Sequence, residues 1–290
     1  VNPSLSIIYK LNYAWRFTAH ASYKERYGEM TDLYDRPYQT DYRNSVWNCG
    51  ILPVYRQQLY SVYGEYKNTA REFFATVNLT HNREWYNRIY EQRIENGQVQ
   101  RVSLPLSNHG SGYTVKSTLS KGFYELGLKT SFLVLLNISK AEQISGGQRL
   151  PYQYRLMRLE PKVIWTPNRH WETSYQTDIR YGGNKIGERT RLAPLWNVTQ
   201  QVQLSYIFSP IEASLSVDHY HNDVNEDQSV NAVFADFSVS WKSGRWQITT
   251  TATNLFDKRT YAYTQYASLE SYTSWVRIRP REFLVAIRQL

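Results

Sequence analysis

Residues 233–252 read VFADFSVSWKSGRWQITTTA, and this stretch decides the fold class. Apolar side chains occupy every second position from Val233 to Trp241, and after residues 242–245 the alternation resumes at Trp246. A period of two residues is that of a β-strand with one apolar and one wet face. The Lys-Ser-Gly-Arg segment between the runs supplies the glycine that favours a tight turn. The stretch therefore predicts an antiparallel hairpin.

The same alternation recurs along the chain, in runs of about ten residues or more. Strands of soluble β-sandwiches average about 5 to 6 residues, whereas a tilted strand needs about ten to cross a bilayer. Aromatic residues cluster near the ends of the runs, which is the depth of lipid headgroups. We therefore predict that one parity faces lipid, with the members Trp15, Phe17, Ala19, Ala21, Tyr23; Phe73, Ala75, Val77, Leu79; Met157, Leu159, Val163, Trp165; Trp196, Val198, Val202, Leu204, Tyr206, Phe208; and Ile211, Ala213, Leu215, Val217.

Short turn signals alternate with longer polar loops. The turns are predicted at Asn12-Tyr13, Asn68-Thr69, Lys121-Gly122, Pro167-Asn168, Ser209-Pro210 and Ser243-Gly244. The loops are predicted at 26–53, 94–112, 143–151, 182–192, 222–230 and 256–274. Short turns at one end and long loops at the other are typical of a transmembrane β-barrel. The pattern predicts an all-β antiparallel meander of about thirteen strands.

Composition narrows the class of protein. With 41% hydrophobic residues and a mean hydropathy of −0.59, the chain is too polar for helical membrane spans. A net charge of +9 would suit nucleic acid, but the basic residues are spread evenly and form no stripe, so we predict no nucleic-acid partner. They also suit anionic lipid headgroups. Cys49 is the single cysteine, so no intramolecular disulfide is possible.

No residue set predicts catalysis, a cofactor or a metal. Asp218, His219, His221 and Asp223 resemble a metal cluster, but they end a strand without further ligands nearby, which favours interfacial or loop histidines. The glycine-rich segment 182–187 lacks the Gly-Lys-Ser/Thr ending of a phosphate loop. A group of charged residues lies in 83–95, namely Arg83, Glu84, Arg88, Glu91, Arg93 and Glu95. This group fits a solvated rim better than paired catalytic carboxylates. We expect a protein that is not an enzyme.

The last sixty residues carry a family resemblance. Asn254-Leu255-Phe256-Asp257 follows the second strand of the hairpin, a Tyr- and Ser-rich loop comes next, and Arg279-Pro280-Arg281 precedes a terminal alternation of Phe283, Val285 and Ile287. This arrangement resembles the C-terminal end of TonB-dependent outer-membrane receptors, most closely the branch with a carboxypeptidase-regulatory-like domain ahead of the plug. Earlier segments share the likeness, namely Pro3-Ser4-Leu5-Ser6-Ile7, Asp32-Leu33-Tyr34, Tyr42-Arg43-Asn44 and Phe73-Phe74.

The resemblance implies a barrel of twenty-two strands that belongs to a longer protein. Residues 1–290 would be the C-terminal barrel segment, with the plug and N-terminal domains absent from this chain. The implied location is the bacterial outer membrane. The implied partners are membrane lipid and lipopolysaccharide, the plug domain, TonB, and a small nutrient ligand such as a siderophore, a vitamin or an oligosaccharide.

The chain end supports two narrower expectations. Family members usually end on an aromatic residue, so we expect one after Leu290, or Leu290 as a weaker substitute. Arg277, Arg279 and Arg281 share the parity of Phe283, which predicts an outward placement at headgroup level.

Two other functions remain open, a barrel-anchored surface adhesin or scaffold without transport and a soluble carbohydrate-binding β protein. The sequence does not identify a ligand. The candidates for stacking on one are loop aromatics, namely Tyr34, Tyr38, Trp47, Tyr263 and Tyr266.

Overall fold

The computed structural model describes residues 2–42, 44–95, 98–187, 190–191, 193–225, 227–267 and 270–289. Within these ranges the chain forms twenty strands and two short 3-10 helices, Met30–Leu33 and Tyr124–Leu126. The predicted all-β class is confirmed. None of the helices in the described ranges is long and apolar enough to cross a membrane.

Thirteen strands form a meander, here called the wall, in which each strand is antiparallel to the next. The predicted number of about thirteen is confirmed. Within the described residues β1 and β20 form the two edges, each with one wall neighbour. The wall strands are β1 (Ser4–Lys10), β2 (Trp15–Tyr27), β5 (Val54–Asn68), β6 (Phe73–Tyr86), β9 (Asn108–Phe123), β10 (Leu128–Ser145), β11 (Gln148–Asn168), β12 (Trp171–Ile186), β14 (Leu195–Phe208), β15 (Ile211–Asp223), β16 (Ser229–Ser243), β17 (Trp246–Thr253) and β20 (Glu282–Gln289).

The register gives the wall an apolar face and a polar face. Val202 pairs with Val217, and Val217 pairs with Ala235 on the next strand. One residue along, Gln203 pairs with Ser216 and Ser216 with Asp236. Because side chains alternate across a strand, each face keeps its character from strand to strand. The residues predicted to share the lipid-facing parity do lie together on the apolar face.

Aromatic rings mark both margins of the apolar face. Near the short turns, neighbouring strands bring together Trp15 and Tyr66 (4.7 Å between centroids) and Trp171 and Tyr206 (4.6 Å). Toward the loops, Tyr181 approaches Trp196 at 4.7 Å and His81 stacks on Tyr113 at 4.3 Å. We call these sets the lower and upper aromatic margins.

The turns follow the predicted asymmetry, with corrections. Lys121-Gly122 and Pro167-Asn168 lie inside β9 and β11, and the turns come after them. The turn after β9 lies at Gly127, later than predicted. This position requires glycine, because its φ is +59° and a Cβ there would lie 2.1 Å from the carbonyl oxygen of Thr166. The predicted loop 143–151 is wrong, because β10 and β11 continue to a tight turn at Gly146-Gly147.

The long connections contain strands of their own, which the sequence pattern did not predict. These are β3 (Tyr38–Gln39), β4 (Asn44–Trp47), β7 (Ile89–Glu95), β8 (Gln98–Leu104), β13 (Thr190–Arg191), β18 (Thr260–Ala267) and β19 (Glu270–Arg277).

Candidate ligand site at the long-loop end

The connections 28–53 and 87–107 join to form one layer above the wall, here called the cap. Strand β4 runs parallel to β8, with Asn44 opposite Val99 and Trp47 opposite Val102. Strand β7 pairs with β8 and meets the wall where Glu91 lies opposite Ile144 of β10. Two loops that are distant in sequence therefore form one structure.

Buried contacts hold the cap together. Ile89 and Val102 are 0% and 5% exposed, and the Cys49 thiol lies 3.5 Å from the hydroxyl of Ser103. The guanidinium of Arg88 donates to Asp32 at 2.8 Å across the two loops. Burial alone would raise the pKa of Asp32, but the hydrogen bonds from Arg88 and from the backbone of Glu29, with the charge of Arg88, leave that pKa lowered.

Gly28 at the base of the cap has no room for a side chain. A Cβ at this position would lie 2.4 Å from the carboxylate of Asp32 and 2.5 Å from the ring of Pro53. The Gly28 N–H donates to the carbonyl oxygen of Pro53 at 2.9 Å, so the two ends of the connection 28–53 meet here. The close approach positions Asp32 for Arg88.

A cavity of about 660 Å³ lies between the cap and the polar face of the wall. This volume is typical of small-molecule sites. Tyr90, Gln92 and Arg101 line it from the cap. The lining from the wall is mixed polar and aromatic, and includes Asn82, Glu84, Tyr86, Asn108 and Tyr152.

Glu84 organises the wall side of the cavity. Its Oε1 accepts hydrogen bonds from Tyr55 (3.1 Å), Gln57 (3.1 Å) and Asn82 (2.9 Å), and its Oε2 accepts one from Tyr86 (2.9 Å). Four donors from two adjacent strands fix the carboxylate and the two phenol rings. The interpretation of this charged set as a solvated rim is therefore wrong for Glu84, and also for Glu91, which is 5% exposed.

Tyr90 lies between two arginines on the cap side. The guanidinium carbon of Arg101 is 3.7 Å from the centroid of the Tyr90 ring, and that of Arg88 is 5.0 Å from it. Burial raises the pKa of Tyr90 although both cations lower it, so the phenol stays neutral at physiological pH.

The predicted stacking aromatics lie elsewhere. Tyr34 and Tyr38 contact each other at 6.0 Å between centroids, and the Trp47 indole donates to Asp35 at 3.4 Å, all within the connection 28–53 and away from the cavity lining. Tyr263 lies on β18, and the side chain of Tyr266 is outside the described part of the chain, as are Arg43 and Leu290. The cavity uses Tyr86, Tyr90 and Tyr152 instead. The signal in the sequence for Tyr86 and Tyr90 is aromatic residues interleaved with charges over 84–93.

Strands β18 and β19 form a hairpin that folds onto the polar face of the wall, within the predicted loop 256–274. The Asn222 amide donates to the carbonyl oxygen of Ala262 at 3.1 Å, and the Asn197 amide to that of Thr264 at 3.4 Å. Ala262 and Thr264 are 0% and 1% exposed. The hairpin therefore narrows the space along the polar face beside β12, β14, β15 and β16.

Asn254 holds the base of that hairpin. Its side-chain amide donates to the carbonyl oxygens of Lys258 and Arg279, both at 2.8 Å, and its own N–H donates to Asp236 of the wall at 2.7 Å. Leu255 donates its N–H to the carbonyl oxygen of Ala235 at 2.8 Å, and Phe256 is 56% exposed. Residues of the Asn-Leu-Phe-Asp segment thus join the hairpin to β16.

The terminal strand presents Phe283, Val285 and Ile287 on the apolar face, opposite Ala252, Thr250 and Ile248. The outward placement predicted for the three arginines assumed that they continue the alternation of the terminal strand, and the structure does not have this continuity. Arg277 ends β19 of a separate sheet, whereas Arg279, Pro280 and Arg281 precede β20, which begins at Glu282. Arg281 instead donates its N–H to Asp257 at 3.0 Å.

Comparison with known proteins supports the fold. No protein-family model and no curated protein sequence matches the chain. Among solved structures, FpvA of P. aeruginosa, in a complex with an iron-loaded heterologous pyoverdine, is similar with a TM-score of 0.50 and 10% identity over 99% of this chain and 44% of its own. The ferric yersiniabactin uptake receptor FyuA of Yersinia pestis is similar with a TM-score of 0.50 and 8% identity over 100% of this chain and 50% of its own. The chain thus spans about half the length of these structures, and the likeness concerns the fold.

Proposed function

We propose that this chain is the C-terminal part of the barrel of a TonB-dependent outer-membrane receptor, which binds a scarce nutrient under the cap and admits it along the polar face. The observation that carries the proposal is the two-faced wall of thirteen strands with a cavity at its long-loop end. The polar face would line the lumen, and the apolar face would contact lipid.

The spacing of the aromatic margins supports the membrane assignment. Trp171 and Tyr181 lie ten residues apart on β12, as do Tyr206 and Trp196 on β14. At about 3.4 Å per residue and a tilt near 45°, this separation corresponds to a band about 25 Å tall. That is the height of the apolar band on outer-membrane barrels.

Cations beyond the upper margin support contact with lipopolysaccharide. Arg83 and Lys140 both lie opposite Ser111, and Lys140 and Lys185 both lie opposite Gln153, so the register aligns three cations in one row across the apolar face. The adjacent row holds Tyr60, His81 and Tyr113 of the upper margin. A charged row outside an aromatic ring belt matches the phosphate layer of an outer leaflet.

The remaining partners follow from the resemblance and from the two edges. Strands β1 and β20 present backbone groups that are costly to leave unpaired in lipid, so we assign the rest of a twenty-two-stranded barrel to these edges. A plug in the lumen and TonB would supply gating and energy. We propose neither an enzymatic activity nor a cofactor.

Growth of the source bacterium tests the proposal. Strains lacking the full-length protein, and strains lacking TonB, are compared on panels of ferric siderophores, cobalamin and oligosaccharides. We expect one nutrient on which both strains fail and on which restoring the wild-type protein rescues only the first. An outer-membrane protein whose loss impairs surface attachment but no TonB-dependent uptake would favour the adhesin, and recovery of the full-length protein without detergent would favour the soluble alternative.

A further inference from the structure

We propose that Arg101 and Tyr90 form an oxyanion subsite in the cavity, which holds a carboxylate or phosphate group of the bound solute. The proposal rests on the proposed function and names the chemical class of ligand. Three observations carry it: the stacking of Arg101, the lack of a carboxylate partner for Arg101 among the described residues, and the supply of fixed polar groups opposite.

The stacking fixes the orientation of Arg101. Its guanidinium carbon lies 3.7 Å from the centroid of Tyr90, so the planar group covers the ring face. A guanidinium stacked by its face keeps its N–H edge for hydrogen bonds, and that edge matches the two oxygens of a carboxylate or phosphate. Tyr90 lies on β7, which is paired with β8, and Gln92 of β7 lies opposite Arg101 of β8.

The pairing of the charged groups around the cavity leaves Arg101 open to an anion. Arg88 is paired with Asp32 at 2.8 Å, Glu142 with Arg149 at 3.0 Å, and Glu84 accepts four hydrogen bonds. Arg101 has no carboxylate partner among the described residues. Glu84 keeps its negative charge, but its two oxygens already accept four hydrogen bonds, so Arg101 is the charged group of this set that remains open to an oxyanion.

The wall supplies neutral groups for the rest of the solute. Tyr86, Asn108 and Tyr152 line the cavity opposite the cap. Aromatic faces and amides bind sugars or flat rings and add no charge. A solute with one anionic end and a polar, uncharged body fits this distribution.

The test uses the purified full-length protein in detergent at low ionic strength, with calorimetric titration of citrate, inorganic phosphate and the uncharged sugar raffinose. We expect saturable binding of citrate or phosphate, and the difference between the two separates the carboxylate from the phosphate. Arg101→Gln should weaken that binding about tenfold or more, because a hydrogen-bonded charge pair is lost. Arg101→Lys should also weaken it, because the charge remains but the fork is lost.

Two further variants separate the subsite from general effects. Tyr90→Leu should weaken anion binding whereas Tyr90→Phe, which keeps the ring, should not. Arg36→Gln removes an exposed cap arginine outside the cavity lining and should leave binding unchanged. Unchanged hydrogen exchange in 28–53 and 87–107 for each variant shows that the cap is intact.

The proposal is overturned if the wild type binds neither anion, if Arg101→Gln binds as well as wild type, or if Arg36→Gln weakens binding equally. These results are independent of transport, because the titration needs neither TonB nor a membrane. TonB-dependent uptake without anion binding would reject the subsite and leave the proposed function standing.

Discussion

Arg88 and Asp32 lie 56 residues apart in the sequence and join two loops. The Nη1 atom of Arg88 donates a hydrogen bond of 2.8 Å to Oδ1 of Asp32. Their side chains are 15% and 21% exposed, so solvent screens the pair less than a surface ion pair. Arg88 also approaches the Tyr90 ring that lines the cavity. The pair therefore couples the shape of the cap to the position of the candidate ligand site.

Removal of the pair should loosen the cap without unfolding the wall. For Arg88→Gln we expect a loss of about 1 to 3 kcal/mol in local stability, between the values for exposed and buried pairs. Hydrogen exchange should rise in 28–53 and 87–107 and stay unchanged in β14 and β15. Arg36→Gln is the matched control. Equal exchange in the two variants would mean that the pair does not hold the cap.

The same pair predicts how the cap responds to acid. The pKa of Asp32 is lowered in the folded cap, so its contribution is complete above the unfolded-state pKa of about 3.9 and is lost as the pH falls through the lower folded-state value. Hydrogen exchange of the cap, corrected for the intrinsic rate, should rise below about pH 4. In Arg88→Gln this rise should shrink, since the cation that lowers the pKa is gone. A rise of the same size in both proteins would contradict the assignment to Asp32.

Substitutions on the two faces of the wall test the membrane assignment. Val217 lies on the apolar face between Val202 and Ala235, whereas Gln203 lies on the polar face. Val217→Arg should cost about 2 to 4 kcal/mol if it lies near the bilayer midplane, and Gln203→Arg should cost little. Folding of the full-length protein into phospholipid vesicles, followed by the mobility shift on heating, measures the difference. Similar costs at the two positions would reject a lipid-facing apolar surface.

The wall could be predicted from the sequence because its signal is local. Alternation over ten residues reports which face of a strand is buried, whatever the strand pairs with. The cap could not be predicted in this way. Its parallel pairing of β4 with β8 joins segments about fifty residues apart, and β4 has only four residues, too few to show a period.

The residues that line the cavity could not be predicted for a related reason. Tyr34, Tyr38 and Trp47 were candidates because they are aromatic residues in a polar loop. The cavity instead forms where the loop 87–107 folds back over β6 and β9. Tyr86 and Tyr90 belong to a stretch of alternating charges that resembles a solvated rim. Only the three-dimensional pairing shows that Glu84 collects four donors there.

Asn254 gives the last prediction, because it combines a strained backbone with a side chain that no other residue replaces. Its φ is +51°, a region that costs most residues about 1 kcal/mol or more but suits Asn and Gly. Its amide donates to Lys258 and Arg279 while its oxygen accepts from the Lys258 N–H at 2.9 Å, so both donor and acceptor are needed. Asn254→Gly should keep the backbone conformation and lose the side-chain hydrogen bonds. Asn254→Asp should keep the acceptor and lose the donors. Asn254→Ala should lose the hydrogen bonds and also strain the backbone, so it should be the least stable. The readout is modification of a cysteine introduced at Thr264, which lies on β18 of the hairpin and is 1% exposed, in a Cys49→Ser background. Modification should be slowest in the protein that keeps Asn254, faster in Asn254→Gly and Asn254→Asp, and fastest in Asn254→Ala. If Asn254→Ala leaves the rate unchanged, the hairpin is held to the wall by Asn222 and Asn197 instead, and the role assigned to Asn254 is wrong.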